Sequence, residues 1–362
     1  MERTRVCLYL ERWSSGGIEA FIYNTLCASE LSGFEIDIVA SKIENSIFTD
    51  RLKALGVGFI ELSGRLRSGE NERLFRKLLR EKKYHTLHLH IFHGLSLKLL
   101  KIAKEEGVGV RIAHSHGAGL RKCTTRPLKL LIHSVGKGLW LGYATNLLAC
   151  SPEAARFLFG RMEAVIIKNG IKTEAFAFSE EARAKKRAEL QINGTLLGNV
   201  GRLSAEKNQL FLLDVYKEYR ELHPDSRLII VGDGEMKTEI EKKAERLGIG
   251  DGVIMYGEAK EIPELLSAMD IFLFPSAVEG LGIAAIEAQA SGLPVITSEG
   301  VPESARLGPR AVKLKTDSAA EWSEEIDRLI SEDYDRSDAY IEVKKQGFDA
   351  AVAGEKILAL YK

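Results

Sequence analysis

Two carboxylates and two cations stand in glycine-bearing loops where they could act on one polar, anionic ligand. Glu279 and Glu287 lie eight positions apart, on either side of the turn Gly280-Leu281-Gly282. Carboxylates at two depths of one turn-and-helix segment can accept hydrogen bonds from hydroxyls at two places on a bound molecule. Glycine at 280 and 282 lets the backbone close on that molecule with no Cβ in between. Arg202 and Lys207 fall in a second loop, Gly201-Arg202-Leu203-Ser204-Ala205-Glu206-Lys207-Asn208. A guanidinium fork beside an ammonium point charge suits a diphosphate. Solvated glutamates and a surface ion pair to Glu206 are the plainer accounts. The small apolar neighbours of Glu287, which are Ala285, Ile286, Ala288 and Ala290, weigh against the first of these.

These side chains need strands and helices to hold them. Ile271 to Phe274 is a short apolar run of the kind buried in a parallel sheet. It is followed by a loop, the glycine turn and Ile283 to Ala290, whose composition favours helix. A helix beginning near Leu281 places Glu287 about two turns inside it. Ser291-Gly292 reads as the helix stop, and Pro294 to Thr297 as the next strand. Leu196 to Val200 is the strand that releases the Arg202 loop, and Leu228 to Val231 and Val253 to Gly257 are two more. In the first half, Arg5 to Leu10 runs into Ser14-Ser15-Gly16-Gly17-Ile18-Glu19 and a helix to about Leu31. Strands recur at Glu35–Ala40, Gly58–Glu61, Thr86–His90, Val110–Ser115, Asn146–Cys150 and Ala164–Ile167, with helical segments between them. Such a βαβ repeat predicts an α/β chain of doubly wound parallel sheets. Loops at the carboxyl ends of such strands, and helix N-termini beside them, are where anionic ligands bind. The dinucleotide fingerprint G-x-G-x-x-G is absent after the first strand, which disfavours NAD.

The stretch Glu279, Glu287 and Gly292 to Ile296 resembles the donor-site signature of the retaining GT-B glycosyltransferases of family 4, glycosyltransferase group 1. The Gly201-Arg202-Leu203 loop with Lys207, the Gly-Gly-Ile-Glu turn at Gly16-Gly17, Ala149 to Ala154 and Ile167 to Ile171 are similar to other pieces of that family. The resemblance implies two Rossmann-like domains facing a cleft: residues 1–172 for the acceptor, 173–340 for the nucleotide-sugar donor, and 341–362 as a C-terminal helix crossing back. It implies Glu287 on the ribose hydroxyls, Glu279 on the donor sugar, His116 beside the transferred sugar, and Arg202 and Lys207 on the diphosphate. Gly16, Gly17, Gly280, Leu281, Gly282 and Ile283 would line the donor, and Tyr256 is a candidate for the base, uracil or guanine. The reaction implied is a hexosyltransferase-type transfer with retention, from a UDP-sugar by preference, to a glycan or lipid-linked acceptor. Arg111 to Gly117 with Ser151 to Gly160 looks most like capsular or exopolysaccharide enzymes. No metal and no other cofactor is expected, the cations and helix dipole taking that electrostatic part. A GT-B sugar-nucleotide epimerase and a non-catalytic nucleotide-sugar binding protein are the rivals. A phosphorylase would require a cofactor lysine and a longer chain.

Composition fits two ordinary soluble domains: 362 residues, 45% hydrophobic and 28% charged. Cys7, Cys27, Cys123 and Cys150 show no metal or disulfide spacing, so a cytoplasmic protein with reduced thiols is expected. No signal segment or membrane span is evident, and nucleic acid is not an expected partner. Net charge is zero, yet residues 1–170 hold 26 Lys and Arg against 16 Asp and Glu, an excess of +10 balanced by −10 in the remainder. From Leu120 to Leu148, Arg121, Lys122, Arg126, Lys129 and Lys137 interleave with apolar residues, a pattern suited to an anionic membrane surface. The second basic helix, with Arg73, Arg76, Lys77, Arg80, Lys82 and Lys83, reads better as a solvated face. Six of the eight histidines, at 85, 88, 90, 93, 114 and 116, cluster on or near two strands. A metal cluster is one reading of them. Histidines acting singly, structural or catalytic, are the preferred one, because Glu105-Glu106 is expected on an exposed helix. His116 is expected where its strand opens to a cleft, and His114 to be buried on a backbone carbonyl as often as not.

Overall fold

In a computed structural model, residues 3–62, 69–91, 94–117, 119 and 126–362 are described. The chain divides into two compact units, Met1–Ile171 with Asp349–Lys362, and Lys172–Phe348. Each is built on one all-parallel sheet.

The first unit runs β1 (Thr4–Trp13), α1 (Gly17–Cys27), β2 (Phe34–Ile43), α2 (Thr49–Ala54), β3 (Gly58–Glu61), α3 (Glu70–Lys82), β4 (Thr86–Ile91), α4 (Lys98–Glu105), β5 (Val110–Ser115), α5 (Arg126–Trp140), β6 (Asn146–Ala149), α6 (Pro152–Phe159) and β7 (Val165–Ile166). Its sheet order is β3-β2-β1-β4-β5-β6-β7. The order reverses between β1 and β4. β1 outlasts the expected Arg5–Leu10 because it stays paired with β2 through Trp13, opposite Ile43. Helix α6 begins where its sequence demands: the Ser151 hydroxyl accepts the Ala154 N–H, and Pro152 follows at the first turn.

The second unit runs α7 (Glu180–Glu189), β8 (Leu196–Val200), α8 (Gln209–Leu222), β9 (Arg227–Val231), α9 (Lys237–Arg246), β10 (Val253–Gly257), α10 (Ile262–Ala268), β11 (Ile271–Phe274), α11 (Ile283–Ala290), β12 (Val295–Ser298), β13 (Ala311–Leu314), α12 (Ala319–Ser331) and α13 (Ala339–Lys345). Its order, β10-β9-β8-β11-β12-β13, reverses between β8 and β11. Strand β13 escapes the sequence reading because it lies at the sheet edge and is only partly buried, so it lacks a continuous apolar run. Helix α13 packs on α11, which keeps residues up to 348 with the second unit rather than with the tail.

The last helix, α14 (Ala350–Ala359), belongs to the first unit. Its Ala353, Ile357 and Leu358, with Tyr361 after it, enter the core formed by β1, β2 and α1. The Asp349 carboxylate accepts the N–H groups of Ala351 and Val352 and starts the helix. Gly170 is required at that junction, since a Cβ there would lie 2.6 Å from Ala350 backbone atoms.

Candidate functional site

The loops that leave β8 and β11 flank the reversal point of the second sheet, the place where open parallel sheets bind ligands. Lys207, from the first loop, forms an ion pair with Glu279, from the second, and its ammonium stands 5.0 Å from the centre of the Phe274 ring. Both side chains are largely buried, at 24% and 12% exposure. The Glu206 carbonyl accepts the Ala277 N–H at 2.7 Å, so the two loops are also tied through their backbones. Glu279 is held in turn by its own N–H, which donates to Gly300 O at 2.9 Å. Gly300 has no substitute there, because a Cβ would come within 2.3 Å of Ala277 backbone. Behind the pair, the buried Asn199 donates to Leu273 O at 2.7 Å and locks β8 to β11.

Arg202 is set differently. Its guanidinium is 57% exposed and meets Glu235 at 3.3 Å, not Glu206. The partner comes from the glycine turn after β9, where Gly232 and Gly234 have positive φ values of 136° and 158°. Any side chain at either glycine would collide with the carbonyls of Gly201 and Leu203. The two turns are therefore packed backbone to backbone, and this places Arg202 and Lys207 on one rigid rim.

Helix α11 opens at Gly282, whose left-handed φ of 88° only glycine adopts without strain. Its first N–H groups have no partner within the helix and carry the positive end of its dipole. The helix begins two residues later than expected, so Glu287 lies just over one turn inside it rather than two. Glu287 is half-buried, and burial of its carboxyl pushes its pKa up to about 8. Leu281 is almost fully buried, so only its backbone is offered outward, and Ile283 is half-buried. Tyr256, at the end of β10, donates to Glu261 at 2.7 Å. Glu235, Glu261 and Gly300 were not singled out in the sequence. Only Gly300 carried a signal there, as another glycine following a strand.

In the first unit, Gly16 and Gly17 sit at the mouth of β1, beside that sheet's reversal point. Glu19 folds back beneath them and accepts both the N–H and the hydroxyl of Ser14, at 3.1 and 3.0 Å. Burial raises its carboxyl pKa while these hydrogen bonds oppose the rise. A Cβ on Gly16 would meet this carboxylate at 2.7 Å, whereas Gly17 has open space.

His116 does not open outward; it is 5% exposed. The histidines do not stand singly either. His88, His90, His114 and His116 are all buried in one block on β4, β5 and the residue after β5. His88 Nε2 lies 3.0 Å from His114 Nδ1, His90 Nδ1 lies 2.9 Å from His116 Nε2, and His88 Nδ1 lies 2.6 Å from the Tyr361 hydroxyl. His114 thus takes a neighbouring imidazole and not a carbonyl. His114 and His116 share one side of their strand, with ring centres 4.1 Å apart, while the Ser115 hydroxyl on the other donates to Ala154 O. Phe21 of α1 covers the block, its ring 5.3 Å from that of His114. Burial holds His88, His114 and His116 well below the usual histidine pKa, and His90 at about 3. The rings are neutral. His93 lies outside the described residues.

Glu105 and Glu106 are not free either. They pair with Arg76 and Arg80 of α3, at 2.5 to 3.0 Å, while Lys77 meets Glu81 and Lys82 meets Asp37, so ion pairs take four of the six basic residues named there. On α5, Leu128, Leu131, Ile132, Val135 and Leu139 form an outward stripe with exposures of 37% to 61%. The opposite face is pinned: His133 accepts the Gly94 N–H at 2.9 Å, and Gly136 leaves no room for a Cβ against the Gly94 carbonyl, 2.4 Å away. Lys129 is exposed, and Lys137 donates to Phe157 O at 3.0 Å. Arg121, Lys122 and the Arg126 side chain lie outside the described residues, as does Cys123. Among the described residues, no helix is long and apolar enough to cross a membrane.

Residues 181–346 match the family model described as glycosyl transferases group 1. Over 99% of this chain and 96% of the relative, the sequence is 28% identical to EpsF of Bacillus subtilis, named as a glycosyltransferase. It is 29% identical to the Escherichia coli UDP-Gal:alpha-D-GlcNAc-diphosphoundecaprenol alpha-1,3-galactosyltransferase over 61% of this chain and 59% of that one. The fold superposes on Anabaena Alr3699/HepE, crystallised with UDP and glucose, with a TM-score of 0.80, 20% identity and 99% of both chains covered. Sucrose-phosphate synthase of Thermosynechococcus elongatus gives a TM-score of 0.76 at 18% identity, over 99% of this chain and 98% of that one. The two parallel-sheet units are Rossmann-like, and their structural neighbours include glycosyltransferases of the GT-B fold. The glycosyl transferases group 1 model thus matches most of the second unit, and over its whole length the chain is similar to a glycosyltransferase in sequence and to HepE in fold.

Proposed function

We propose that the protein is a retaining hexosyltransferase of family 4 that moves a sugar from a nucleotide-diphosphate sugar, UDP-linked by preference, to a glycan or polyprenyl-linked acceptor in surface polysaccharide assembly. The observation that carries this is the Lys207–Glu279 pair at the reversal point of the second sheet, beside the glycine-capped start of α11. In the transfer the bond from the anomeric carbon to the diphosphate oxygen breaks and one to the acceptor oxygen forms. A nucleoside diphosphate and a proton leave. The charge to be stabilised therefore builds on the diphosphate, where Lys207, Arg202 and the first N–H groups of α11 are placed to act. A bound diphosphate takes Lys207 from Glu279 and leaves that carboxylate for donor sugar hydroxyls. Glu287 accepts from the ribose hydroxyls, Tyr256 borders the base, and the turn at Gly16 and Gly17 admits the donor. His116, held by His90, is assigned to the sugar. The transfer runs without a metal, on the strength of these cations and the helix dipole.

The lipid arm of the reading rests on α5. Its pinned inner face fixes the apolar stripe outward, and the net charge of +10 over residues 1–170 favours an anionic bilayer. The protein would then sit on the inner face of the cell membrane, where a lipid-linked acceptor is presented. The deciding experiment incubates the full chain with a panel of nucleotide sugars, with and without polyprenyl-diphosphate glycans, and follows donor and products by mass spectrometry. Donor consumption that depends on acceptor is expected. Conversion of donor without acceptor would make it an epimerase, and binding without turnover a non-catalytic module.

A further inference from the structure

We propose that His88, His90 and His114 form a binding site for a divalent transition metal, zinc foremost, inside the first unit. One ring nitrogen from each lies within 4.8 Å of the others. None of the three is itself a residue assigned to the donor, and Arg202, Lys207, Glu279 and Glu287 belong to the second unit.

The fold makes the cluster. β4 and β5 are adjacent parallel strands in a register that sets His90 opposite His114, and alternate residues of a strand share a face. His88 and His90 therefore stand beside His114 and His116 on one side of the sheet. The scaffold is a pair of central strands, which holds ligands more firmly than loops do. Zinc–nitrogen bonds of about 2.0–2.1 Å in tetrahedral geometry put neighbouring ligand nitrogens roughly 3.4 Å apart. The 3.0 Å between His88 and His114 is already close to this, and His90 closes the remainder by turning its ring.

The hydrogen bonding of the block is incomplete as it stands. His90 Nε2, His114 Nε2 and His116 Nδ1 are buried with no partner. Buried polar atoms rarely remain so, and an orphan nitrogen that bears a lone pair is a metal ligand in waiting. A metal-binding histidine commonly has its second nitrogen tied to another polar group, and His88 Nδ1 has this in the Tyr361 hydroxyl at 2.6 Å. An all-imidazole set with no carboxylate favours zinc, copper or nickel over calcium or magnesium. Because the rings are buried under Phe21, the ion would be acquired during folding and not added afterwards.

The full chain should be produced in zinc-rich and in cobalt-rich medium and assayed by plasma mass spectrometry and visible absorption. We expect about one zinc per chain, and in the cobalt form the visible bands of a tetrahedral, nitrogen-ligated ion. His90→Gln and His114→Gln should each lower the content about tenfold with the circular dichroism unchanged, whereas the exposed His85→Gln should leave it intact. A wild-type chain holding less than about a tenth of an equivalent would overturn the proposal, and the block would be a metal-free imidazole stack. Folded His90→Gln and His114→Gln chains that keep their metal would overturn it equally. Should neither variant fold, the cobalt spectrum of the wild type decides: nitrogen-ligated tetrahedral bands support the site, and their absence refutes it.

Discussion

The two sheets reverse their strand order at equivalent places, yet the two reversal points are finished in opposite ways. In the second unit the loops after β8 and β11 bring a lysine, a glutamate and a helix start together, with Arg202 exposed beside them. In the first unit the corresponding region, β1 and β4, carries a turn tied down by the buried Glu19 and, behind it, neutral imidazoles under Phe21. One topology thus yields a charged rim suited to an anion and a closed polar block suited to a neutral ligand set. Charge is what separates them. The cationic loop is built where a diphosphate would need it, although its unit is the acidic half of the chain, which shows that overall charge and local site chemistry are set independently.

The comparison breaks hardest at Lys207. Lys207→Ala should reduce transfer by roughly 10²–10³-fold, the scale of losing one preorganised group that faces developing charge. It also leaves the mostly buried Glu279 without its cation, so Lys207→Met with Glu279→Gln should fold better than Lys207→Ala alone. Steady-state kinetics on the identified donor, with thermal melts, measure both. Unchanged turnover in Lys207→Ala would remove the pair from the reaction.

Glu287 gives the next effect. Its carboxyl pKa is raised from 4.5 to about 8 by burial, so the folded protein holds a proton there that the unfolded chain releases. Stability from this group is therefore complete below about 4.5, falls as pH climbs towards about 8, and is level above. Glu287→Gln should flatten that fall, worth on the order of 2 kcal/mol after allowing for its partial exposure, in denaturant titrations at several pH values. Ribose hydroxyls donate to the ionised form, so UDP affinity should rise between about pH 7 and 8 in the wild type and lose that slope in Glu287→Gln. Glu287→Ala should weaken UDP about 10- to 100-fold, whereas Glu279→Ala should lower turnover more than UDP affinity. Equal losses of affinity in the two would reverse their assigned contacts.

Much of this was legible because short-range pattern and burial agree. Ile271–Phe274 and Leu196–Val200 are found as read, since an interior strand of a parallel sheet is apolar on both faces, and the edge strand Val253–Gly257 is found because its Val-Ile-Met run, unlike β13 with Lys313, is unbroken by charge. Composition marked Ile283–Ala290 as helical, although a start near Leu281 was used to count the depth of Glu287. What failed was partnership. Nothing in a sequence says that Arg202 meets Glu235 from another strand's turn, that Lys207 reaches Glu279 seventy-two residues on, or that Tyr361 caps His88 from the far end of the chain. The histidines were located but read singly, because the register that pairs His90 with His114 is a property of the sheet and not of either strand. The depth of Glu287 was misjudged because the left-handed Gly282 delays the helix.

A smaller effect tests the first unit's outer face. The full chain should co-sediment with anionic vesicles at low salt and not with neutral ones. Leu128→Ser with Leu131→Ser should cut that binding about tenfold, as two apolar side chains stay out of the interface. Replacing Arg121, Lys122, Arg126 and Lys129 with Gln should remove the salt-sensitive part, each charge contributing about 1 kcal/mol. A protein that stays in the supernatant at low salt would make the stripe and its charges an ordinary surface and favour a soluble acceptor.

The smallest expected effect on stability is at Arg202, and its smallness is what makes it informative. The Arg202–Glu235 pair is more than half exposed on both sides, and exposed pairs contribute about 0–1 kcal/mol. Arg202→Ala should shift unfolding by no more than about 0.5 kcal/mol, because the rim is held by the contact of Gly232 and Gly234 with neighbouring backbone and not by this pair. Glu235→Ala should be equally mild. If the guanidinium serves the diphosphate, however, Arg202→Ala weakens UDP about 10-fold, the loss of a charge-assisted contact, while Glu235→Ala leaves affinity unchanged or raises it by releasing the guanidinium. Calorimetric titration with UDP and GDP on both variants separates the two. Equal UDP affinity for wild type and Arg202→Ala would confine anion binding to Lys207 and the start of α11.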